Sequence, residues 1–335
     1  MSLSRPATHA GSWYSRNAAE LSSQLQTYLN NSKKPIVKNS RIIISPHAGY
    51  RYCGSTMAYS YASLDLNENI KRIFILGPSH HIFFSNEIFV SAFDSISTPL
   101  GDLKVDKDLC SKLVRKKISG KKIFSFMNQD VDTDEHSLEM QFSMLVQTLN
   151  WRKVPLDNVK VIPMMVSHNT KEFDMSVGKI LSEYLNDPSN LFIISSDFCH
   201  WGRRFEYTGY VGSEDELKEA TEEETEIEML TSRSKLKHHQ IPIWKSIEIL
   251  DKHAMRTLSD TQNSDRYDAW KQYLEITGNT ICGERPIGVV LAALAYLPEN
   301  SKVTFEWPHY SQSSQVQSLE ESSVSYTSGY VTIQL

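Results

Sequence analysis

The sequence predicts an α/β protein in which a mainly parallel central sheet is flanked by helices. Three observations carry that expectation. Short apolar runs, Ile42-Ile43-Ile44, Ile73-Phe74-Ile75-Leu76 and Leu191-Phe192-Ile193-Ile194, have the length and β-branched or aromatic character of buried strands. Stretches of helical period alternate with them, which implies crossover units and parallel pairing. The chain has 335 residues of which 40% are hydrophobic, enough for a substantial core.

From the N-terminus, Leu21, Leu25 and Leu29 recur at i, i+4 and i+8, and Asn17 with Glu20 resembles a capping box, so 17–29 reads as an amphipathic helix. A polar Lys33-Lys34-Pro35 linker precedes the strand that ends near Ser45. Residues 54–64 read as a short helix leading to a strand over 70–76. Residues 106–117 form a further helix with basic residues in its last turn, where the helix dipole favours them. Leu138, Phe142, Leu145 and Leu149 mark an amphipathic helix over 137–149. Buried strands over 159–166 and 191–194 flank a helix over 172–185. Helices then start near Ile241 and at Pro286, and antiparallel strands over 303–307 and 325–333 complete the sheet.

One segment departs from this rhythm. Residues 213–228 hold nine acidic side chains against one lysine, and 233–237 reverse the sign. The chain is read as a single domain over 1–335 with a solvated, charged insertion at about 210–240 that lacks core residues. A regulatory or partner-binding arm is the alternative for that insertion.

Composition excludes several classes. A net charge of −5 and a pI near 6.1 argue against a nucleic-acid binder, which would show a basic face. No apolar run approaches the roughly 20 residues that span a bilayer. Residues 1–9 lack the zones of a signal peptide. The four cysteines, Cys53, Cys110, Cys199 and Cys282, are widely and irregularly spaced, which suits a reducing cytoplasmic setting, with the nucleus also open.

The chemistry concentrates in four stretches read as strand ends: Ser45-Pro46-His47-Ala48-Gly49-Tyr50, Gly77-Pro78-Ser79-His80-His81, Ser195-Ser196-Asp197-Phe198-Cys199-His200-Trp201-Gly202 and Asn279-Thr280-Ile281-Cys282-Gly283. In open α/β sheets ligands bind beyond the carboxyl ends of the strands, so these groups are expected to meet. Two imidazoles, His47 and His80, with the thiolate of Cys282 make a three-ligand site with an open position, and sulfur favours copper, zinc or iron over magnesium or calcium. The competing reading of each is a hydrogen-bonded loop histidine or a buried free thiol. His81 is expected beside the site rather than in it. Asp197, three residues from His200, can orient that imidazole for proton transfer, or can cap a local turn. In Asp134-Glu135-His136-Ser137-Leu138-Glu139, helix capping is favoured over a pocket role.

These motifs, together with His9-Ala10-Gly11-Ser12-Trp13-Tyr14, occur in the order seen in the Memo family, which is named for mediating cell motility driven by a receptor tyrosine kinase. The resemblance spans nearly the whole chain; the acidic insertion is the main departure. It implies a fold similar to class III extradiol ring-cleaving dioxygenases, whose iron is held by two histidines and a glutamate. By that resemblance His47 and His80 match the histidine pair, Cys282 stands where the carboxylate would be, and Asp197 and His200 match further polar groups of the pocket. Ring cleavage is therefore not implied. Copper or iron binding, copper-linked redox activity, phosphotyrosine-peptide binding in the same cleft, signalling or cytoskeletal partners, and a role in motility, invasive growth or cytoskeletal organisation are.

Two further function classes stand beside a metal-binding regulatory protein. A peptide-recognition module would stack Trp13 on a ligand ring and receive an anion at the Gly77-Pro78-Ser79 loop with Arg51. A hydrolase would use Cys282 as nucleophile, His200 as base and Asp197 as orienter.

Overall fold

The computed structural model describes residues 2–33, 35–236 and 239–335. Lys237, the last residue of the basic run after the acidic segment, lies outside the described residues. The elements that build the site are α1 (Ala18–Ser32), β1 (Ser40–Ser45), α2 (Tyr50–Ser63), β2 (Arg72–Pro78), α3 (His136–Trp151), β3 (Lys160–Val166), α4 (Lys171–Leu185), β4 (Asn190–Ser195), α5 (Ile243–Asp260), α6 (Arg266–Thr277), α7 (Glu284–Leu294), β5 (Lys302–Gln312) and β6 (Ser323–Gln334).

The central sheet runs β3-β2-β4-β1-β6-β5. β3, β2, β4 and β1 are parallel, and β6 and β5 close that side as antiparallel strands. The architecture is thus the mainly parallel α/β sheet that the strand and helix alternation predicts. Its inner strands carry buried apolar runs at their centres because both faces are covered, α4 and α7 packing on one and α1, α2 and α3 on the other. Register decides where the strands stop. Ser195 pairs with Ser45, and Val166 pairs with Pro78, so the loops after β1, β2, β3 and β4 leave the sheet side by side.

Local sequence explains the helix starts. The Asn17 side chain accepts from the N–H groups of Ala19 and Glu20 and opens α1, whereas Glu20 itself accepts from Ser15 Oγ, so the reciprocal arm of a capping box is not formed. The Glu135 carboxylate accepts from Ser137 N–H and opens α3.

Two expectations need correction. Asn279 to Gly283 does not close a strand; it leaves helix α6, which ends on Gly278 in the left-handed conformation, φ 59°, and it leads into α7 at Glu284. The acidic segment is not free of core residues either. Its helix Glu214–Glu222 buries Leu217, which with Ile227 packs on Ile249, Leu250 and Ile276 of α5 and α6, while Leu230 joins Trp201 and Tyr207. The carboxylates face water, and the few apolar residues between them anchor the segment.

Candidate metal centre

His47 follows β1 and His80 follows β2, and the two imidazoles lie with ring centroids 5.2 Å apart. A third, His136, sits at the first position of α3; its ring stacks on His80 at 4.4 Å and lies 5.4 Å from His47. One ring nitrogen from each of the three lies within 4.8 Å of the others. Gly77 permits this approach of α3 to the end of β2, since a Cβ there would fall 2.6 Å from Ser137 Oγ.

For His47 and His80, hydrogen bonds fix which nitrogen carries a proton. Gln141 donates from Nε2 to the Pro46 carbonyl (3.0 Å) and accepts at Oε1 from Tyr61 OH (2.9 Å), so its amide has one orientation. That Nε2 also donates to Ser195 Oγ (2.9 Å), and Ser195 spends its single proton on the Ser137 carbonyl (2.7 Å). The His47 Nδ1 that meets Ser195 Oγ at 2.8 Å must therefore carry the proton, leaving Nε2 as a lone pair. His80 reaches the same state by a different route. Its Nδ1 and its backbone N–H both donate to Glu135, at 2.8 and 2.7 Å. Burial alone would raise the Glu135 carboxyl, but the hydrogen bonds it accepts from the His80 ring and from the backbone N–H groups of His80 and Ser137 hold it down to about 2. An ionised acceptor behind the ring is the arrangement that orients metal-ligating histidines.

Cys282 reaches His47 from the loop between α6 and α7, and it stands outside the group of three imidazoles whose nitrogens lie within 4.8 Å of one another. Gly283 makes this possible: its N–H donates to Ser196 Oγ at 3.0 Å, and a Cβ there would fall 2.2 Å from the Ser196 side chain. The Cys282 thiol lies 3.2 Å from His47 Nε2, so it donates to that lone pair. Burial pushes the thiol well up and His47 well down, and burial, reinforced by repulsion from the neighbouring imidazoles, brings His136 down to about 3. A cation that displaces the thiol proton would meet a thiolate beside the His47 lone pair, with the rings of His80 and His136 close by. The donor chemistry fits a borderline or soft ion.

The remaining residues singled out in the sequence take other positions. Asp197 is buried, and its carboxylate accepts from the backbone N–H of His47 at 2.8 Å, a contact 150 residues apart in the chain. Burial raises its pKa. His200 Nδ1 donates to the carbonyls of Phe198 (2.9 Å) and Thr280 (3.1 Å), which occupy the place where an orienting carboxylate would sit. The expected Asp197-to-His200 relay is therefore replaced: Asp197 holds the His47 loop, and backbone carbonyls hold His200. Trp13 stacks on His136 at 4.4 Å rather than waiting for a ligand ring, and exposed His81 lies 6.3 Å from His136. His80, His200, Cys282, Phe205 and Arg285 line a cleft of about 490 Å³. Arg51, expected beside Gly77-Pro78-Ser79, lines a different cavity.

His136 is the residue whose pocket role sequence reasoning placed second to helix capping. Its neighbour Glu135 does cap α3 as expected, but the same carboxylate bonds His80, and a cap that also grips a site residue brings the next side chain with it. The signal was a Glu-His pair at a helix start in a chain with strand-end histidines elsewhere.

The fold and the cluster together define an α/β protein that gathers imidazole and thiol groups where its parallel strands end. The Memo-like protein family model matches residues 5–330, and the chain belongs to that family. It is similar to the MEMO1 family protein MHO1 of Saccharomyces cerevisiae, 68% identical over 98% of this chain and 99% of that one. The MEMO1 family protein C4H3.04c of Schizosaccharomyces pombe is 42% identical, covering 96% of this chain and 97% of its own. Protein MEMO1 of Homo sapiens is 37% identical, covering 98% of this chain and 97% of its own.

Proposed function

We propose that this Memo-family chain is a regulatory protein that binds a copper or iron ion through His47, His80 and Cys282, with His136 as an additional ligand. The observation that carries the reading is the committed Nδ1–H of both His47 and His80, which turns two lone pairs toward a shared point beside a thiol. When bound, such an ion would supply one-electron chemistry. The chain's own residues do the rest: Ser195 and Glu135 set the tautomers, Gly283 lets the thiol approach, and the cleft lined by His200 and Phe205 gives access from one side. His200, held by backbone carbonyls, keeps Nε2 for proton transfer at that cleft. A thiol-based hydrolase is less well supported, because Cys282 pairs with His47 and backbone carbonyls take the His200 Nδ1 hydrogen bond.

The wider role is read from the family: motility, invasive growth or cytoskeletal organisation, exercised in the cytoplasm or nucleus through signalling partners. A phosphotyrosine-peptide function in the cleft is the second reading, weakened by the placement of Arg51 in another cavity. Among the described residues no helix is long and apolar enough to cross a membrane.

Titrating reduced protein with Cu(I) and with Fe(II) under anaerobic conditions, and measuring bound metal directly, tests the reading. Wild type should bind one ion, His47→Ala and His80→Ala should lose it, and Cys282→Ser should weaken copper more than iron. Equal affinity across the set would overturn the proposal. Host cells lacking the chain should then regain invasive growth with wild type but not with His47→Ala.

A further inference from the structure

The chain leaves α5 at Asp260 and enters α6 at Arg266, and the turn between them meets the start of β5 around a cavity of about 270 Å³. Of its nine lining residues only Val303 is apolar. Such a space is smaller than most ligand pockets and lacks an apolar wall, so it suits a small polar occupant. Helix α6 is 12 residues long, about 18 Å, which puts this cavity at the opposite end of that helix from the Cys282 loop.

Arg266 lines the cavity and is only 3% exposed. Its Nη1 donates to Asn263 Oδ1 and its Nη2 to the Thr261 carbonyl at 2.6 Å, while Nε is buried without a hydrogen-bond partner. The guanidinium lies over the Phe305 ring at 4.7 Å. It has no carboxylate partner among the described residues, and burial that no neighbouring charge offsets lowers its pKa to about 10. Arg5 offers the contrast: it is also buried, but it pairs with both Asp132 and Glu139, and its pKa is raised. An unpaired buried charge is costly, and orphaned buried polar atoms point to a bound water or ion.

The rest of the wall decides between those two. Ser259 and Thr261 spend their hydroxyl protons on the carbonyls of Met255 and Thr257 in α5. Ser301 Oγ, by contrast, is buried without a partner. The Asn263 oxygen accepts from Arg266, which leaves its amide N–H groups to donate. Lys302 is exposed at the rim and has no carboxylate partner among the described residues. Asp260 is the one carboxylate on the wall, and it is exposed; Asp265, which opens α6 without a side-chain cap, lines a different cavity. Two cations against one carboxylate, with spare donors and the positive end of the α6 dipole at the same turn, favour an anion over water.

We propose that this cavity is an oxyanion site that takes a phosphate or sulfate group, bound between Arg266 and Lys302 with Ser301 and Asn263 as further donors, and that the anion supplies the counter-charge which Arg266 lacks. The site is independent of metal binding and of the cavity lined by Arg51.

The test titrates full-length protein calorimetrically with inorganic phosphate, sulfate and glycerol phosphate in a chloride background of constant ionic strength, and follows the denaturation midpoint in parallel. Phosphate and sulfate should bind and raise the midpoint. Comparing inorganic phosphate with glycerol phosphate identifies whether the free anion or a phosphomonoester is the preferred source. Lys302→Gln, at an exposed position and so expected to fold, should weaken binding about tenfold, the loss expected of one charge-assisted hydrogen bond. Arg266→Met keeps an apolar stem beside Phe305 and should abolish binding, whereas Arg266→Lys should retain part of it. Arg51→Gln should leave binding unchanged. Both anions also stabilise proteins by exclusion from their surfaces, so only the part of the midpoint shift that the variants lose counts for the site. Should Arg266→Met fail to fold, Lys302→Gln and Ser301→Ala decide. No calorimetric binding of either anion to wild type, or binding unaltered in the Lys302, Ser301 and Arg266 variants that fold, would overturn the proposal; so would loss of binding in Arg51→Gln with retention in Lys302→Gln.

Discussion

The two ends of the parallel strands use buried polar groups in opposite ways. At the amino-terminal end of β1, Arg41 spends Nε and Nη2 on the carbonyls of Leu185, Asp187 and Asn190, so the donors end in structure. At the carboxyl end, Ser195 and Glu135 take one proton from each histidine and leave the opposite nitrogens facing one another. Both ends are well bonded. Only one leaves lone pairs convergent, and that difference separates a stabilising network from a binding site.

Substitutions at the two ends should therefore fail differently. Replacing both His47 and His80 by Ala should abolish metal binding while the fold persists, read by metal content and circular dichroism. Arg41→Ala should do the reverse: it strands buried carbonyls and costs about 3 kcal/mol of stability, with metal affinity unchanged in the folded fraction. Loss of metal binding in Arg41→Ala at full helicity would erase the distinction.

The acidic segment sharpens the same contrast, because it has charge outside and anchors inside. Leu217→Ala should cost about 3 kcal/mol in chemical denaturation, as a cavity-forming change does, and leave the metal site intact. An unchanged denaturation midpoint would show that Leu217 is not an anchor, and deletion of 214–235 would then be tolerated.

Asp251 is buried on α5 and receives hydrogen bonds from Cys199 N–H, Asn279, Tyr310 and Ser325, with no cationic partner among the described residues. Burial raises its pKa from 3.8 to about 6, only partly offset by those bonds. Between pH 4 and 6 the folded chain thus keeps a proton that the unfolded chain has released. This group's contribution is fully present below about pH 4 and is lost as pH rises through 6, a change of about 3 kcal/mol. Asp251→Asn should flatten that part of the stability profile, measured by denaturation at pH 4, 5, 6 and 7; an unaltered slope would mean that other groups carry it.

The smallest effect belongs to Glu135→Gln. The amide keeps the shape but weakens the orienting bond to His80, so metal affinity should fall about tenfold. No change would show that His80 holds its tautomer without a charged partner.

The sequence made the strand-end histidines legible because apolar runs that stop at His47 and His80 leave little choice of direction. The parallel sheet followed from strand and helix alternation. Three features were hidden for physical reasons. Helix α6 escaped notice although Tyr267, Trp270, Leu274 and Thr277 fall on one face at i, i+3, i+7 and i+10, because that face is aromatic and hydroxyl-bearing and lacks the leucine repeat that marks α1 and α3. The anchors of the acidic segment were masked by their charged neighbours. The partner of Asp197 lies 150 residues away in the chain, a contact that local spacing does not encode.

The most direct test of the central claim is X-ray absorption on the reduced, copper-loaded protein. It should show one sulfur and two or three imidazole nitrogens around the metal, with the sulfur lost in Cys282→Ser and one imidazole lost in His80→Ala. A shell of oxygen and nitrogen alone in wild type, unchanged by either substitution, would contradict the assignment of this cluster as the metal centre.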